Sequence, residues 1–175
     1  KDFIISAQVP RDWSEKGVQR MEMLRNEFAS IQEVKEATLS YEIPNGNNSG
    51  TINIYKASGD STQAVAAHVL SSDENYASTF SIPLKAGAFF HSKENNGSDA
   101  SKLVINEKQV KALGWANADE AIGKQVRIQG RSTLFTIAGV TNDFHFNTMK
   151  EAIQPITFLH VKNTRTYRFL SFKVK

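Results

Sequence analysis

Apolar residues recur at steps of three and four from Val18 through Met21, Leu24 and Phe28 to Ile31, which puts them on one face of a helix. Arg20, Glu22, Arg25 and Glu27 read as largely off that face, toward water. Asp12 and Glu15 have the spacing of a capping box at its start. Ahead of it, residues 3–9 read as a strand bounded by Pro10. After it the period changes to two. Ala37, Leu39, Tyr41 and Ile43 alternate with Thr38, Ser40 and Glu42, the pattern of a strand with one buried face. Pro44 and the Asn/Gly-rich run at 45–50 predict a turn, and residues 51–57 are expected to return as a hairpin. Residues 65–70 read as a further strand, and 76–80 as a helical turn stopped before Pro83.

The polar, Gly/Asn/Ser-rich stretch at 92–101 reads as a loop or linker. Residues 102–105 follow as a strand, Asn106 and Gln109 match a helix start, and Gly114 its stop. Residues 118–122 form a brief helical turn ended by Gly123. Val126 and Ile128 open a hairpin around Gly130, and residues 134–140 close it. Two more strands are expected at 156–161 and 167–174. Strands and helices are mixed without regular βαβ alternation, so the fold class is α+β with largely antiparallel pairing.

The net charge of +3 comes from 21 basic residues interleaved with 18 acidic ones, unlike the concentrated basic stripe of a nucleic-acid binder. The exception is residues 162–175, with Lys162, Arg165, Arg168, Lys173 and Lys175 and no acid. That stretch reads as a solvated strand face, or as a face near an anionic bilayer. The chain has no cysteine, which excludes disulfides, a thiol nucleophile and thiolate zinc sites. No segment approaches the ~20 apolar residues of a membrane helix, so any anchor is expected outside these 175 residues.

Candidate chemistry is sparse. None of His68, His91, His145 and His160 pairs with another at helical metal-ligand spacing, so no metal site is expected. Gly123-Lys124 is not a phosphate loop, because position 118 is Ala and Gln125 follows the lysine. Asp73, Glu74, Asp119 and Glu120 read as acids at helix starts, where they complement the helix dipole. His145, two residues from Asp143, is the one candidate general base; its other reading is a loop residue between the rings of Phe144 and Phe146. The sequons at 47–49 and 96–98 fall in expected loops.

An ordered set of motifs carries a resemblance. It runs Tyr76-Ala-Ser-Thr-Phe80, Ile82-Pro-Leu-Lys-Ala-Gly87 with Phe89-Phe90, Leu103-Val-Ile-Asn-Glu107, and Ala112-Leu-Gly-Trp115. Ala121-Ile-Gly-Lys124, Ala138-Gly-Val140 and Asn142-Asp-Phe-His-Phe146 follow, with Pro155 opening the next strand. Together these resemble the periplasmic core domain of MacB/FtsX-like ABC transporter permeases, nearest to FtsX-like permeases with large periplasmic domains. The chain departs from such relatives at Gly87-Ala88, where they read Gly-Arg, and at His91-Ser92, where an acid commonly follows the two Phe.

The resemblance implies a two-lobed α+β domain. A porter-like α/β lobe is expected from residues 1–85 and 152–175, and a smaller inserted α/β lobe from 86–151. It also implies a position between two transmembrane helices, on the periplasmic face of the bacterial inner membrane. The implied partners are a cognate ABC ATPase, a second permease copy and a periplasmic adaptor or regulated protein. No cofactor and no catalytic residue are expected. Such a domain transmits ATP-driven movement, and Phe144, His145 and Phe146 are its candidate partner contacts. The alternative is a periplasmic sensor or small-ligand binding domain, which needs a pocket with convergent polar groups. An enzyme using His145 and Asp143 is the third reading.

Overall fold

A computed structural model describes residues 2–45, 50–91, 101–146 and 150–175. The expected run at 45–50, the linker at 92–101 and both sequons fall mostly outside these residues. The chain folds as a mixed α/β domain around one sheet of ten strands. In chain order the elements are β1 (Phe3–Gln8), α1 (Glu15–Ala29), β2 (Val34–Ser40), β3 (Thr51–Lys56), β4 (Val65–Ser72), α2 (Tyr76–Thr79) and β5 (Leu84–Gly87). Then come β6 (Lys102–Asn106), α3 (Glu107–Ala112), α4 (Ala118–Ala121), β7 (Gln125–Ile128), β8 (Leu134–Thr141), β9 (Ile156–His160), α5 (Val161–Thr164) and β10 (Phe169–Val174).

The sheet has two parts. β1, β10 and β2 form a three-stranded antiparallel ribbon. The second part closes on itself: β4 pairs β3, β3 pairs β7, β7 pairs β8, β8 pairs β6, β6 pairs β9, and β9 returns to β4. Closure removes free edges from this part. Two of its pairings, β4–β9 and β6–β8, are parallel. Ribbon and ring are joined by a single registered pair, Ser40 opposite Ser72. Two backbone bonds flank it, Tyr41 N–H to Ser71 O at 3.0 Å and Asp73 N–H to Leu39 O at 3.0 Å. The lobes expected at 1–85 with 152–175 and at 86–151 both contribute to the ring: β3, β4 and β9 come from the former, β6, β7 and β8 from the latter.

Strand alternation divides the core. Ala67 on β4, Leu103 and Ile105 on β6, and Leu159 on β9 join Ile54, Val126, Ile128, Phe135 and Ile137 inside the ring. The opposite faces of the same strands present Leu70, Val104, Ile156 and Phe158 to Tyr76, Phe89 and Phe90. These strands are apolar on both faces because both are covered. A third cluster seats α1 on the ribbon through Val18, Met21, Leu39, Tyr167 and Leu170.

Four local expectations are corrected. Residues 51–57 do not return on β2 as a hairpin; β3 pairs β4 and β7 instead. β2 has its edges on β10 and on the end of β4, and Ala37 through Ser40 are buried on both faces. The cap of α1 is Ser14, whose Oγ accepts from Gly17 N–H at 3.0 Å, while Asp12 accepts from the Ser14 hydroxyl at 2.7 Å. The helix ends at Ala29, so Ile31 lies beyond it and is exposed. Other local signals match. Asn106 caps α3 by accepting from Gln109 N–H at 3.0 Å, and Gly114 and Gly123 take φ of 91° and 80° where the helical turns stop.

β5 approaches β8 at Gly87 and Gly139, which lie opposite each other. A Cβ on Gly139 would sit 2.2 Å from the Ala88 carbonyl oxygen, a backbone atom that cannot swing aside. Gly139→Ala is therefore expected to destabilise the domain by about 1–3 kcal/mol through overpacking, a fall in Tm of roughly 2–12 °C for a chain of this size. Differential scanning calorimetry checks it; an unchanged Tm would show that β5 is free to shift.

Candidate functional site

The residues singled out in sequence lie on the outside of the ring. Phe144, His145 and Phe146 follow β8, and all three are half-buried. Phe144 and Phe146 pack against the second core cluster, with the Phe144 ring centroid 6.1 Å from that of Phe158. With His68, Leu70 and residues 151–154 they line a shallow groove. Its enclosed space is about 20 Å³, room for about one water molecule. The groove is thus a surface depression rather than a cavity for a small ligand. Asp143 is engaged elsewhere: its Oδ1 accepts from Lys108 N–H at 2.9 Å, at the start of α3. The Asp143–His145 pair is not assembled as a base and its orienting carboxylate. Asp119 and Glu120 do stand in the first turn of α4, as expected.

Asp73 and Glu74 do not serve a helix dipole. Both enter a buried ionic cluster, and so does Arg25, which the sequence reading placed toward water. Arg25 is 4% exposed and Asp73 0%. The Arg25 guanidinium donates to Asp73 Oδ2 at 2.7 Å and lies 3.1 Å from Glu74 Oε1. Asp73 also accepts from the Thr38 hydroxyl at 2.5 Å, from Leu39 N–H at 2.8 Å and from Asn75 N–H at 3.0 Å. Four donors converge on this one carboxylate, from α1, β2 and the turn before α2. His160 completes the cluster. Lys162 N–H donates to its Nδ1 at 3.1 Å, so the ring proton sits on Nε2 and points at Glu74 Oε2, 3.0 Å away. Glu22 and Lys162 extend the cluster to the surface with a 3.4 Å contact.

The signal for Arg25 was present in the helical period. In a 3.6-residue repeat, position 25 falls between Val18 and Met21 on the buried stripe, one turn after Met21. A charge in an apolar stripe calls for a buried partner. Burial raises the pKa of Asp73 against the pull of Arg25, and raises that of Glu22, where Glu74 adds repulsion. For Glu74 burial acts upward too, but the hydrogen bond from His160 and the charge of Arg25 prevail and bring it down to about 2. Burial also opposes the charge on Arg25, but Asp73 and Glu74 hold its pKa above the ordinary value.

Other basic groups of the C-terminal stretch are engaged within the domain. Lys173 donates to Ser78 O and Ser81 Oγ at 3.0 and 3.1 Å, and Lys175 to Gln32 O at 2.7 Å. No group of metal-binding side chains occurs among the described residues, and no helix there is long and apolar enough to cross a membrane.

The model of the MacB-like periplasmic core domain matches residues 4–175. The chain belongs to that family. It is a MacB-like periplasmic core domain. Solved structures agree on the fold. The periplasmic region of MacB from Actinobacillus actinomycetemcomitans superposes with a TM-score of 0.60 at 16% identity, over 86% of this chain and 63% of that one. A domain of a permease protein from Porphyromonas gingivalis gives 0.56 at 16% identity, over 83% of this chain and 58% of the other. The extracellular domain of the ABC-type transporter YknZ from Gram-positive bacteria gives 0.62 at 13% identity, over all of this chain and 84% of that one. The chain thus spans less than two thirds of the MacB region and of the Porphyromonas domain. No curated protein matches the sequence.

Breaking the cluster from one side leaves buried charge unpaired. Arg25→Met is expected to cost about 3–5 kcal/mol, seen as a Tm lower by roughly 6–20 °C. A loss within 2 °C would mean that the cluster is solvated. The pH dependence follows from Glu74. Its folded pKa of about 2 lies below its ordinary 4.5, so the stability it adds is complete above pH 4.5 and is lost as the pH falls toward 2. Urea titrations across this window should show a steeper acid loss for the parent than for Glu74→Gln. Parallel curves would count against it.

Proposed function

We propose that this domain transmits movement within a permease: it changes the relative setting of ribbon and ring as the cognate ATPase cycles, and so drives export or acts on a periplasmic partner. The observation that carries this reading is the seam. Ribbon and ring share one registered backbone pair, Ser40 with Ser72, beside a buried cluster that ties α1, β2 and the end of β4 together. A narrow backbone junction next to a strong ionic clamp suits a pivot with two discrete settings. The inserted segment 86–151 is the smaller lobe of this reading and moves with the ring, to which it gives β6, β7 and β8. Phe144, His145 and Phe146 are its partner face, because two half-buried rings rim a depression too small for a ligand. A second permease copy and a periplasmic adaptor or regulated protein are the partners of the assembled transporter.

These 175 residues hold no cysteine, so a pair placed at the seam is the domain's one possible disulfide and makes the pivot testable. The flanking bonds make Ser40 and Ser72 a non-hydrogen-bonded pair, whose Cα atoms in such pairs are about 4.5 Å apart, within reach of a disulfide. The full-length transporter carrying Ser40→Cys and Ser72→Cys is expected to lose transport when oxidised, to keep nucleotide binding, and to recover on reduction. Full transport in the oxidised form would remove the seam as the moving joint. For the partner face, His145→Trp fills the groove. It should reduce transport several-fold with the isolated domain's Tm unchanged, and unaltered transport would discard that face.

A further inference from the structure

A second concave surface lies on the seam itself. It is an open cleft of about 320 Å³, within the size range of small-ligand sites. Trp13 and Tyr41 line it from the ribbon side; Thr51, Ser71 and Arg131 line it from the ring; Thr166 closes one end. The two aromatic rings form a corner, with centroids 6.1 Å apart and planes at 59°. The corner is set in advance. Trp13 Nε1–H donates to Tyr167 O at 3.1 Å, and the Arg11 guanidinium lies over the indole at 5.4 Å from its centre. Trp13 is nonetheless 40% exposed. Beside the corner stands a row of hydroxyls, of which Ser71 is buried with its Oγ accepting from the Thr166 hydroxyl at 3.4 Å. Arg131 is the charged residue of the lining, no carboxylate lines the cleft, and none of the described residues pairs with its guanidinium.

We propose that this cleft binds a carboxylate-bearing saccharide. Three features select that class together. The exposed indole and the half-buried phenol offer flat faces on which the C–H face of a sugar ring packs. The hydroxyls of Thr51 and Thr166 exchange hydrogen bonds with ring hydroxyls; an alkyl chain laid there would strip them of water without replacing it. Arg131 supplies the planar fork that matches a carboxylate. Because the corner is held by Tyr167 and Arg11 before any ligand arrives, little ordering is lost on binding. The site is independent of the transmission reading, since binding is measured on the chain by itself.

The probes are trigalacturonate, its neutral counterpart galactotriose, and a short polyglutamate peptide. Trp115 is buried against the ring core, so Trp13 is the exposed reporter and its fluorescence follows the cleft. Trigalacturonate is expected to shift that emission saturably and to raise Tm. Galactotriose and the peptide should each bind at least about tenfold more weakly. Arg131→Gln, on an exposed turn, should lower trigalacturonate affinity by about tenfold and bring it to the level of galactotriose. Tyr41→Ala, checked for an unchanged circular dichroism spectrum, should weaken both saccharides alike. Equal binding of the neutral sugar, equal binding of the peptide, indifference to Arg131→Gln, or no response to trigalacturonate at millimolar concentration each overturns the proposal.

Discussion

The Asp73 carboxylate is the constraint on which the arrangement of ribbon and ring depends. It is fully buried, and it is acceptable there only because Arg25, Thr38, Leu39 and Asn75 all direct donors at it. Those donors come from a helix and a strand that are distant in sequence, and from the turn that follows Asp73 itself. None can be withdrawn without leaving charge or a lone pair unmet in the interior. The backbone junction it guards is narrow, so the cluster supplies the register that a long ladder would otherwise give. Glu74 and His160 carry the same constraint onward to β9 and α5, since the Lys162 N–H bond fixes which imidazole nitrogen faces Glu74.

The ring solves a different problem. β4, β6 and β9 each bury both faces, so each must lie between two cores. Closure through the parallel β4–β9 pairing places one core inside and the other outside, under α2 and the Phe89-Phe90 pair. Phe158 is the hinge of the outer core: the Phe89 ring meets it edge-on at 5.3 Å, and Tyr76 lies 6.2 Å away. The groove rimmed by Phe144 and Phe146 is the uncovered margin of that same cluster. Its apolar character follows from packing, and its exposure follows from where the cover ends.

What the sequence disclosed and what it hid separate along the range of the interactions. Asn106, Gly114, Gly123 and the turn at Gly130 act on their own neighbours, and each sits where local chemistry put it. The pairing of β3 is not legible in the sequence, because a turn-forming run says that the chain reverses, but not which strand lies beside it. The ionic cluster is hidden for a related reason. Periodicity shows a helix and its apolar stripe, yet the charge of Arg25 points to water while its place on that stripe points inward. Asp73 and Glu74 looked like helix-start acids because their partners lie on α1, β2 and β9, which no short window contains. The cleft at Trp13 and Tyr41 is not legible in the sequence, because its two walls join only in the folded chain.

That cleft and the ionic cluster lie on the same seam, which has an energetic consequence. If ribbon and ring change their setting as proposed, a ligand touching both Trp13 on the ribbon side and Arg131 on the ring side gains full contact in only one of the settings. Its binding free energy is then linked to that setting, and the linkage is reciprocal: whatever moves the seam changes the ligand's affinity by the same factor. The cluster sets the stiffness against which this coupling works. Buried and fully paired, it does not yield by degrees, because a partly separated Arg25–Asp73 pair is worse than either a closed pair or a hydrated one. A seam of that kind favours discrete settings over a continuum, which is the property a domain needs if it is to report one event at another place.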